Sequence, residues 1–344
     1  MREALRATTF GRHLVMLKKV FTAVVLATLL SMPIFGLQPH AALAEDVNTS
    51  TPPVLTIHST GGTINITSGN DSGVHVLTGR AAQAVHVSRF NPAQMGSTRI
   101  ILPERFVRQR FGRGWRMYRL PARQYSVPVA RFGSEGVNVE NPGGDMSIAV
   151  PKRVGAIFID APSGNVVLRK VRGPYVISAV GGEVRMLNVV GSGLIRTTAG
   201  NVTLGNVGGS VRVQTVSGAV TVFGSFADSV DVQSDNGPIY WRFAHCGNGL
   251  YRFRSKGGSI RLGFRAAAAA QLDAQSDTGT VENLFSNGAG SGSAVVRLTS
   301  QHALSMAING GGPEITATTT SGDISIESIA EPPPTNQPLP APSQ

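Results

Sequence analysis

The chain has 344 residues and a formal net charge of +11, with 41 % apolar and 15 % charged residues, so it can bury a core and is neither a disordered polyelectrolyte nor a coiled coil. Its 41 glycines are about 12 % of the chain, against roughly 7 % in an average domain, and with many Val, Ile and Thr they predict an all-β protein cut by turns. The single cysteine, Cys246, excludes an internal disulfide and a cysteine-based zinc cluster.

Residues 1–44 read as a secretory signal peptide. Lys18 and Lys19 precede an apolar run from Val20 to Leu37, and Ala42-Leu43-Ala44 offers cleavage after Ala44. An uncleaved anchor is the rival reading, since the run is just long enough to span a bilayer. Met16 is an alternative start that gives a more usual signal length, and no lipobox cysteine is present. Export to the periplasm, cell surface or medium is therefore expected. Removing the segment leaves 26 basic and 19 acidic residues, a net charge of +7.

Residues 45–78 contain a first β-coil region, in which Leu55-Thr-Ile57-His-Ser59-Thr-Gly-Gly62-Thr-Ile64 spells a frame that recurs later. Residues 79–136 form a basic insert. Between Arg105 and Arg131 lie eight arginines (105, 108, 110, 113, 116, 119, 123 and 131), interleaved with Phe106, Phe111, Trp115, Tyr118 and Tyr125. Arginine pairs bidentately with phosphate, sulfate or carboxylate, and aromatic faces stack on sugars or bases. Arg105, Arg108, Arg110, Arg113, Arg116, Arg119, Trp115 and Tyr118 are thus a candidate polyanion-binding set. The competing reading is a cap over the open end of the fold, with aromatics packed inward.

Residues 137–329 hold the repeats. The frame is apolar, any, apolar, any, small polar, two turn residues, Gly, any, apolar. It fits Val211–Val220, Tyr251–Ile260, Leu272–Val281 and Ile315–Ile324, and aligning on its glycine gives Gly144, Gly164, Gly182, Gly200, Gly218, Gly237, Gly258, Gly279 and Gly322. Successive spacings are 20, 18, 18, 18, 19, 21 and 21, with a degenerate copy around Ala303 filling the last gap. Glycines from Gly164 to Gly218 also recur every nine residues. Each half-repeat has room for one short strand and one turn, and the glycines are expected to supply turn conformations. Nearly identical coils bury their apolar face by stacking, which predicts a single-stranded β-solenoid, parallel β-helix-like, of about ten coils of 18–21 residues. An antiparallel sandwich or barrel also recurs at this spacing but has no reason to hold a small residue and a glycine in fixed register. Six residues before the repeat glycines 218, 237, 258 and 279, and before Ala303 of the degenerate copy, stand Arg212, Asp231, Arg252, Asp273 and Arg297, which predicts a ladder of alternating charge between stacked coils. Gln214, Gln233, Arg254 and Gln275 would stack beside it.

The frame ending in Ser321-Gly322-Asp323-Ile324-Ser325-Ile326, and the segment Gly144-Asp-Met-Ser-Ile-Ala-Val-Pro151, resemble a bacterial family of β-strand-repeat envelope proteins labelled adhesins or domains of unknown function. The resemblance covers 137–329 and, more weakly, 54–78. It implies a β-solenoid and an envelope location, and it carries no catalytic residues over to this chain.

Asp228, Asp231 and Asp235 are the nearest acidic cluster, but Asp231 belongs to the ladder and Asp235 to a turn. His58, His75 and His86 alternate with apolar neighbours, and no histidine or cysteine spacing fits a metal site. The positions that hold calcium ligands in β-rolls carry Gln214, Arg196 or Arg169 here, and Gly288-Ala-Gly290-Ser-Gly292 lacks the helix and acid of a nucleotide fingerprint. No cofactor and no metal are expected. Glu331–Gln344, with six prolines in 14 residues, reads as an extended tail within 330–344. The functional expectation is a non-enzymatic exported scaffold or adhesin whose partners are anionic polysaccharide, lipopolysaccharide, a membrane surface or extracellular DNA, together with envelope proteins. Cytoplasmic nucleic acid is not among them. A β-helix lyase or hydrolase of acidic polysaccharide, and a rod without ligand, are the alternatives.

Overall fold

The computed structural model describes residues 44–69, 72–78, 85–95, 97–102, 105–111, 114–120, 123–128, 133–243, 246, 249–285 and 293–329. Residues 1–43 of the segment expected as a signal peptide (1–44), and the expected tail 330–344, lie outside them. Alternation inside each strand decides the architecture: Val166 and Leu168 of Asn165–Arg169 are buried while Asn165 and Arg169 are exposed. Each coil contributes one strand to each of two facing parallel sheets, as Tyr175–Ala179 and Val184–Leu187 do. The long strand Val220–Ser234 turns the corner without a break and joins both faces into one 24-stranded system. The core is the continuous apolar column between the faces. Its aliphatic middle passes into an aromatic block where Phe243 stacks on Phe264 at 4.8 Å and Trp241 meets Phe253 edge-on at 5.3 Å. This is the β-solenoid that the repeat predicts.

The order of the coils differs from chain order. Ten coils stack as 136–150, 54–68, 156–169, 175–187, 193–205, 208–222, 226–243, 251–265, 314–329 and 270–284. The early copy is thus an inner coil, with Val54–Ser59 paired to Gly136–Asn141 on one side and Ala156–Ala161 on the other. Likewise the last coil is inserted before 270–284, because Glu314–Thr319 pairs with both Tyr251–Ser255 and Ala270–Ser276. The segment around Ala303 is not a degenerate coil. Ala303–Ile308 lies antiparallel on Ala270–Ser276, with Ala294–Thr299 antiparallel beyond it. The other end is closed in the same way: His86–Phe90 lies antiparallel on Gly136–Asn141, and Val74–Thr78 on Met146–Val150. Within the stretch 79–136 expected as an insert, His86–Phe90 is thus a strand of this antiparallel cap.

The small polar residue and the glycine of the frame make one corner. Thr215, Ser255, Ser276 and Thr319 are buried, and each hydroxyl accepts the amide of the glycine three residues on, at 2.9–3.0 Å. Among the repeat glycines only Gly62 and Gly144 have left-handed backbone, with φ of 76° and 98°, and none of Gly164, Gly182, Gly200, Gly218, Gly237, Gly258, Gly279 or Gly322 does. Their role is close approach rather than turn conformation. A Cβ at Gly182, Gly200 or Gly218 would fall on the carbonyl oxygen of the glycine in the coil before. The residue after the glycine adds a further tie between coils: Asn165 Oδ1 accepts the Glu183 amide at 2.9 Å, and Asn201 Oδ1 the Ala219 amide at 3.0 Å. Asp145 and Asp323 do the same for the amides of Thr63 and Thr280, both at 2.8 Å. The opposite corner does need left-handed backbone, at Lys170, Asn188, Asn206 and Gly224 with φ of 58°, 56°, 51° and 65°.

Candidate functional site

The basic segment is built of paired strands. Ser97–Leu102 runs antiparallel to Arg123–Pro128, and Arg105–Phe111 runs antiparallel to Gly114–Leu120, so the chain leaves the stack and returns as a ribbon of two consecutive hairpin stretches. Alternating aromatic, β-branched and arginine residues suit such strands. Register sets Arg105 opposite Leu120, Phe106 opposite Arg119, Val107 opposite Tyr118, Arg108 opposite Met117, Gln109 opposite Arg116 and Arg110 opposite Trp115. No arginine of this hairpin is paired with another, which spares the ribbon direct like-charge opposition. Arg113 and Arg131 lie outside the described residues. The result is a strip of cationic and aromatic positions on a two-stranded backbone.

At the base of the ribbon a cleft of about 450 Å³ is lined by Asn48, Thr49, Arg89, Phe90, Gln94 and Glu135, among others. Glu135 closes one wall by accepting the Ser50 hydroxyl at 2.6 Å and the Ser50 amide at 2.8 Å. The Ser50 hydroxyl, the amides of Ser50 and Thr51 and the charge of Arg89 together hold its carboxyl below the ordinary range, against an opposing effect of burial. Arg89 donates to the Asn48 carbonyl at 3.0 Å. Among the described residues that line it, the cleft has one carboxylate, already engaged by Ser50.

On the outer face of the solenoid the first three rungs of the expected charge ladder are adjacent: Arg212 pairs in register with Asp231, and Asp231 with Arg252. Asp231 is buried and receives Arg212 at 3.4 Å and Arg254 at 2.9 Å. Beyond that point the ladder stops. The inserted coil 314–329 sets Thr316 between Arg252 and Asp273, and Ser305 on the far side of Asp273. Arg297 falls at a register shift of the antiparallel cap. The polar ladder is broken in the same way, since Gln214 donates to Gln233 at 3.1 Å but Thr318 separates Arg254 from Gln275.

The remaining titratable groups are dispersed. Asp235 meets Lys256 at 2.9 Å, His58 meets Asp160 at 3.2 Å, His75 meets Asp46 at 2.7 Å, and a His302 ring nitrogen lies 2.7 Å from the Gly279 carbonyl. Cys246 is in the core, where burial pushes its thiol up to about 12. Among the described residues no three His, Cys, Asp or Glu side chains converge on a position that could hold a metal. The clamp of Glu135 on Ser50 escapes sequence reading, because its partners are 85 residues apart.

The family model described as Toastrack DUF4097 matches residues 44–327. Among solved structures, one from Clostridium sporogenes ATCC 15579 described as "a putative cell adhesion protein" is similar over 84 % of this chain and 100 % of its own, at 8 % identity and a TM-score of 0.21. A likeness at that level bears on nothing beyond itself. No curated protein matches.

Proposed function

Because the chain belongs to the Toastrack family DUF4097, we propose that it is an exported, non-enzymatic envelope protein, a β-solenoid scaffold or adhesin that meets anionic polymer or membrane surface through its arginine-rich ribbon. The ribbon carries this reading: Arg105, Arg108, Arg110 and Arg119 each stand opposite an apolar or aromatic residue, so positive charge and stacking surface alternate along one paired backbone. Export is supported by the basic, apolar and small-residue segments in succession before Glu45. A scaffold role is supported by the outward charges of the middle coils, which engage one another rather than converge on a cleft.

The test is binding of the chain from Glu45 onward to acidic glycans, lipopolysaccharide and anionic vesicles across a salt series. A variant with Arg108, Arg110, Arg113, Arg116 and Arg119 changed to Ser runs beside it. The expected result is binding that weakens steeply with salt and is lost in the variant at unchanged thermal stability. Equal binding by both chains, or none by either, defeats the reading and leaves the ribbon a cap. Appearance of unsaturated sugar ends in the glycan arm would instead mean a lyase.

A further inference from the structure

We infer that one corner of the solenoid is a second contact surface, made to lie on an anionic lipid bilayer. The inference does not depend on the ribbon. It starts from the corner with left-handed backbone, where two outward columns run along the stack. One column reads Arg153, Arg172, Val190, Gly208, Phe226, and the other Arg169, Leu187, Gly205, Phe223. Lys170 stands between the columns in the same coil as Arg169 and Arg172.

The corner therefore has two halves. One is cationic: Arg153, Arg169, Lys170 and Arg172 are all exposed, and among the described residues none is in ion-pairing contact with a carboxylate. The columns contain no acid, and the nearest one in the chain is Asp228, two residues beyond Phe226. The other half is apolar. Phe226 is 58 % exposed, Val190 48 % and Phe223 40 %, on a rod whose other large apolar residues mostly face inward. Gly205 lets one ring lie low on this half. A Cβ at Gly205 would press on both the Phe223 ring, at 2.6 Å, and the Leu187 methyl, at 2.7 Å. The Phe223 ring thus lies across the coil below and touches Leu187's territory instead of standing clear.

Charge and apolar surface together choose the partner. A soluble polyanion would use the four cations and could stack on a ring, but it would leave aliphatic Val190 and Leu187 in water beside them. An anionic bilayer uses both, with phosphates against the guanidinium and ammonium groups and aromatic rings entering the headgroup and acyl boundary. Coils about 4.8 Å apart put Arg172 and Phe226, three coils distant, about 14 Å apart, so one flat surface reaches both halves.

The experiment is co-sedimentation of the chain from Glu45 with vesicles of phosphatidylcholine alone and of equimolar phosphatidylcholine and phosphatidylglycerol. Three variants accompany it: Phe223→Ser with Phe226→Ser, Arg153→Ser with Arg169→Ser, Lys170→Asn and Arg172→Ser, and the five-arginine ribbon variant. Asn is chosen at 170 because Asn188 and Asn206 hold the same backbone conformation. Binding to the mixed vesicles is expected to fall by about tenfold or more in each corner variant. Thermal stability should be unchanged in the cation variant, whose side chains are exposed, and the fold retained in the other, where the Phe223 ring lies over Gly205 and Leu187 outside the core. The emission that Phe226→Trp adds to that of buried Trp241, in a Trp115→Phe background, should be quenched by brominated acyl chains. The inference fails if the phenylalanine variant binds as tightly as the parent, if the cation variant does, or if the tryptophan is not quenched. Loss confined to the ribbon variant likewise overturns it while leaving the ribbon reading intact. The reverse pattern sustains the corner and removes the ribbon.

Discussion

The middle of the stack and its two ends follow different rules. From 156 to 222 each coil sits on the one before it in the chain, with repeat glycines 18 residues apart. At both ends a coil from far away in the chain is inserted, 54–68 before 156–169 and 314–329 before 270–284, and antiparallel strands close the stack beyond. The difference shows that the frame itself, not chain order, determines which coils pair. Any segment with the alternating strand, the buried hydroxyl and the glycine fits any slot its connections can reach. The first and last coils are thereby held on both sides, so an end cannot fray without breaking two interfaces. Such pairings join segments 82 and 102 residues apart at one end, and 64 and 43 at the other, and they should make folding slow.

The largest effect is expected where the middle meets the carboxy-terminal end. Phe243 is fully buried and touches the rings of Trp241, Tyr251, Phe253 and Phe264. Phe243→Ala should cost about 4 kcal/mol in urea unfolding. A loss under about 1 kcal/mol would mean that the aromatic block is loosely packed and that the two regions are not coupled through it. Next is the close approach of coils in the middle. Gly182→Ala drives a Cβ into the Gly164 carbonyl, whereas nothing lies within 4 Å of a Cβ at Gly181. The first should cost about 3 kcal/mol and the second less than about 0.5 kcal/mol. Equal costs would return the repeat glycine to a role in turn conformation.

These contrasts also mark what could be read from residues alone. The nine-residue glycine spacing and the alternation of Val166, Leu168, Val202 and Leu204 report local geometry that every coil must satisfy, so solenoid, coil length and coil count were legible. Stack order was not, because the frame of 54–64 is equivalent to that of 315–324 and a repeating pattern contains no address. The antiparallel caps were hidden for a related reason: Ala303–Ile308 alternates like a coil strand, and only its lack of the glycine sets it apart. Of the candidate site, the arginines were plain from composition, while their pairing with Leu120, Met117 and Trp115 depended on a hairpin register whose one sequence signal is Gly112, first of the two residues between paired Phe111 and Gly114. Phe223 and Phe226 carried a usable signal, since they stand where the previous coil has Gly205 and Gly208.

Smaller effects separate the two regions through charge. Asp231, in the middle, holds Arg212 and Arg254, whereas exposed Asp273, near the end, faces Thr316 and Ser305. Asp231→Ala should cost about 1.5 kcal/mol, discounted for the partial exposure of its arginines, and Asp273→Ala nearly nothing. A double-mutant cycle with Arg254→Ala checks the first by isolating their coupling. Cys246 reports the core from its own titration. Its thiol, ordinarily near 9, is pushed up to about 12 by burial, so the folded state holds its proton where the unfolded state releases it. Stability should therefore fall as pH rises from 9 towards 12, and thiol alkylation at pH 9 should track unfolding. Fast alkylation of the folded chain would place the thiol at the surface.

The smallest effect concerns the tie that holds the inserted last coil. Asp323 accepts the Thr280 amide and hydroxyl, at 2.8 and 2.9 Å, and the amide first, then the hydroxyl, hold its carboxyl below the ordinary 3.8. A carboxyl lowered on folding contributes stability above its unfolded value, and that contribution is lost as pH falls through the folded value. Hydrogen-exchange protection at the Thr280 amide, corrected for intrinsic rates, should hold above pH 4 and decline in stronger acid. In the middle the same bond is accepted by the side-chain oxygens of Asn165 and Asn201, which do not titrate, so protection at Glu183 and Ala219 should be flat over the same range. Asp323→Asn should make Thr280 behave like them. If all three amides lose protection together, the acid response belongs to the whole stack and not to its inserted end.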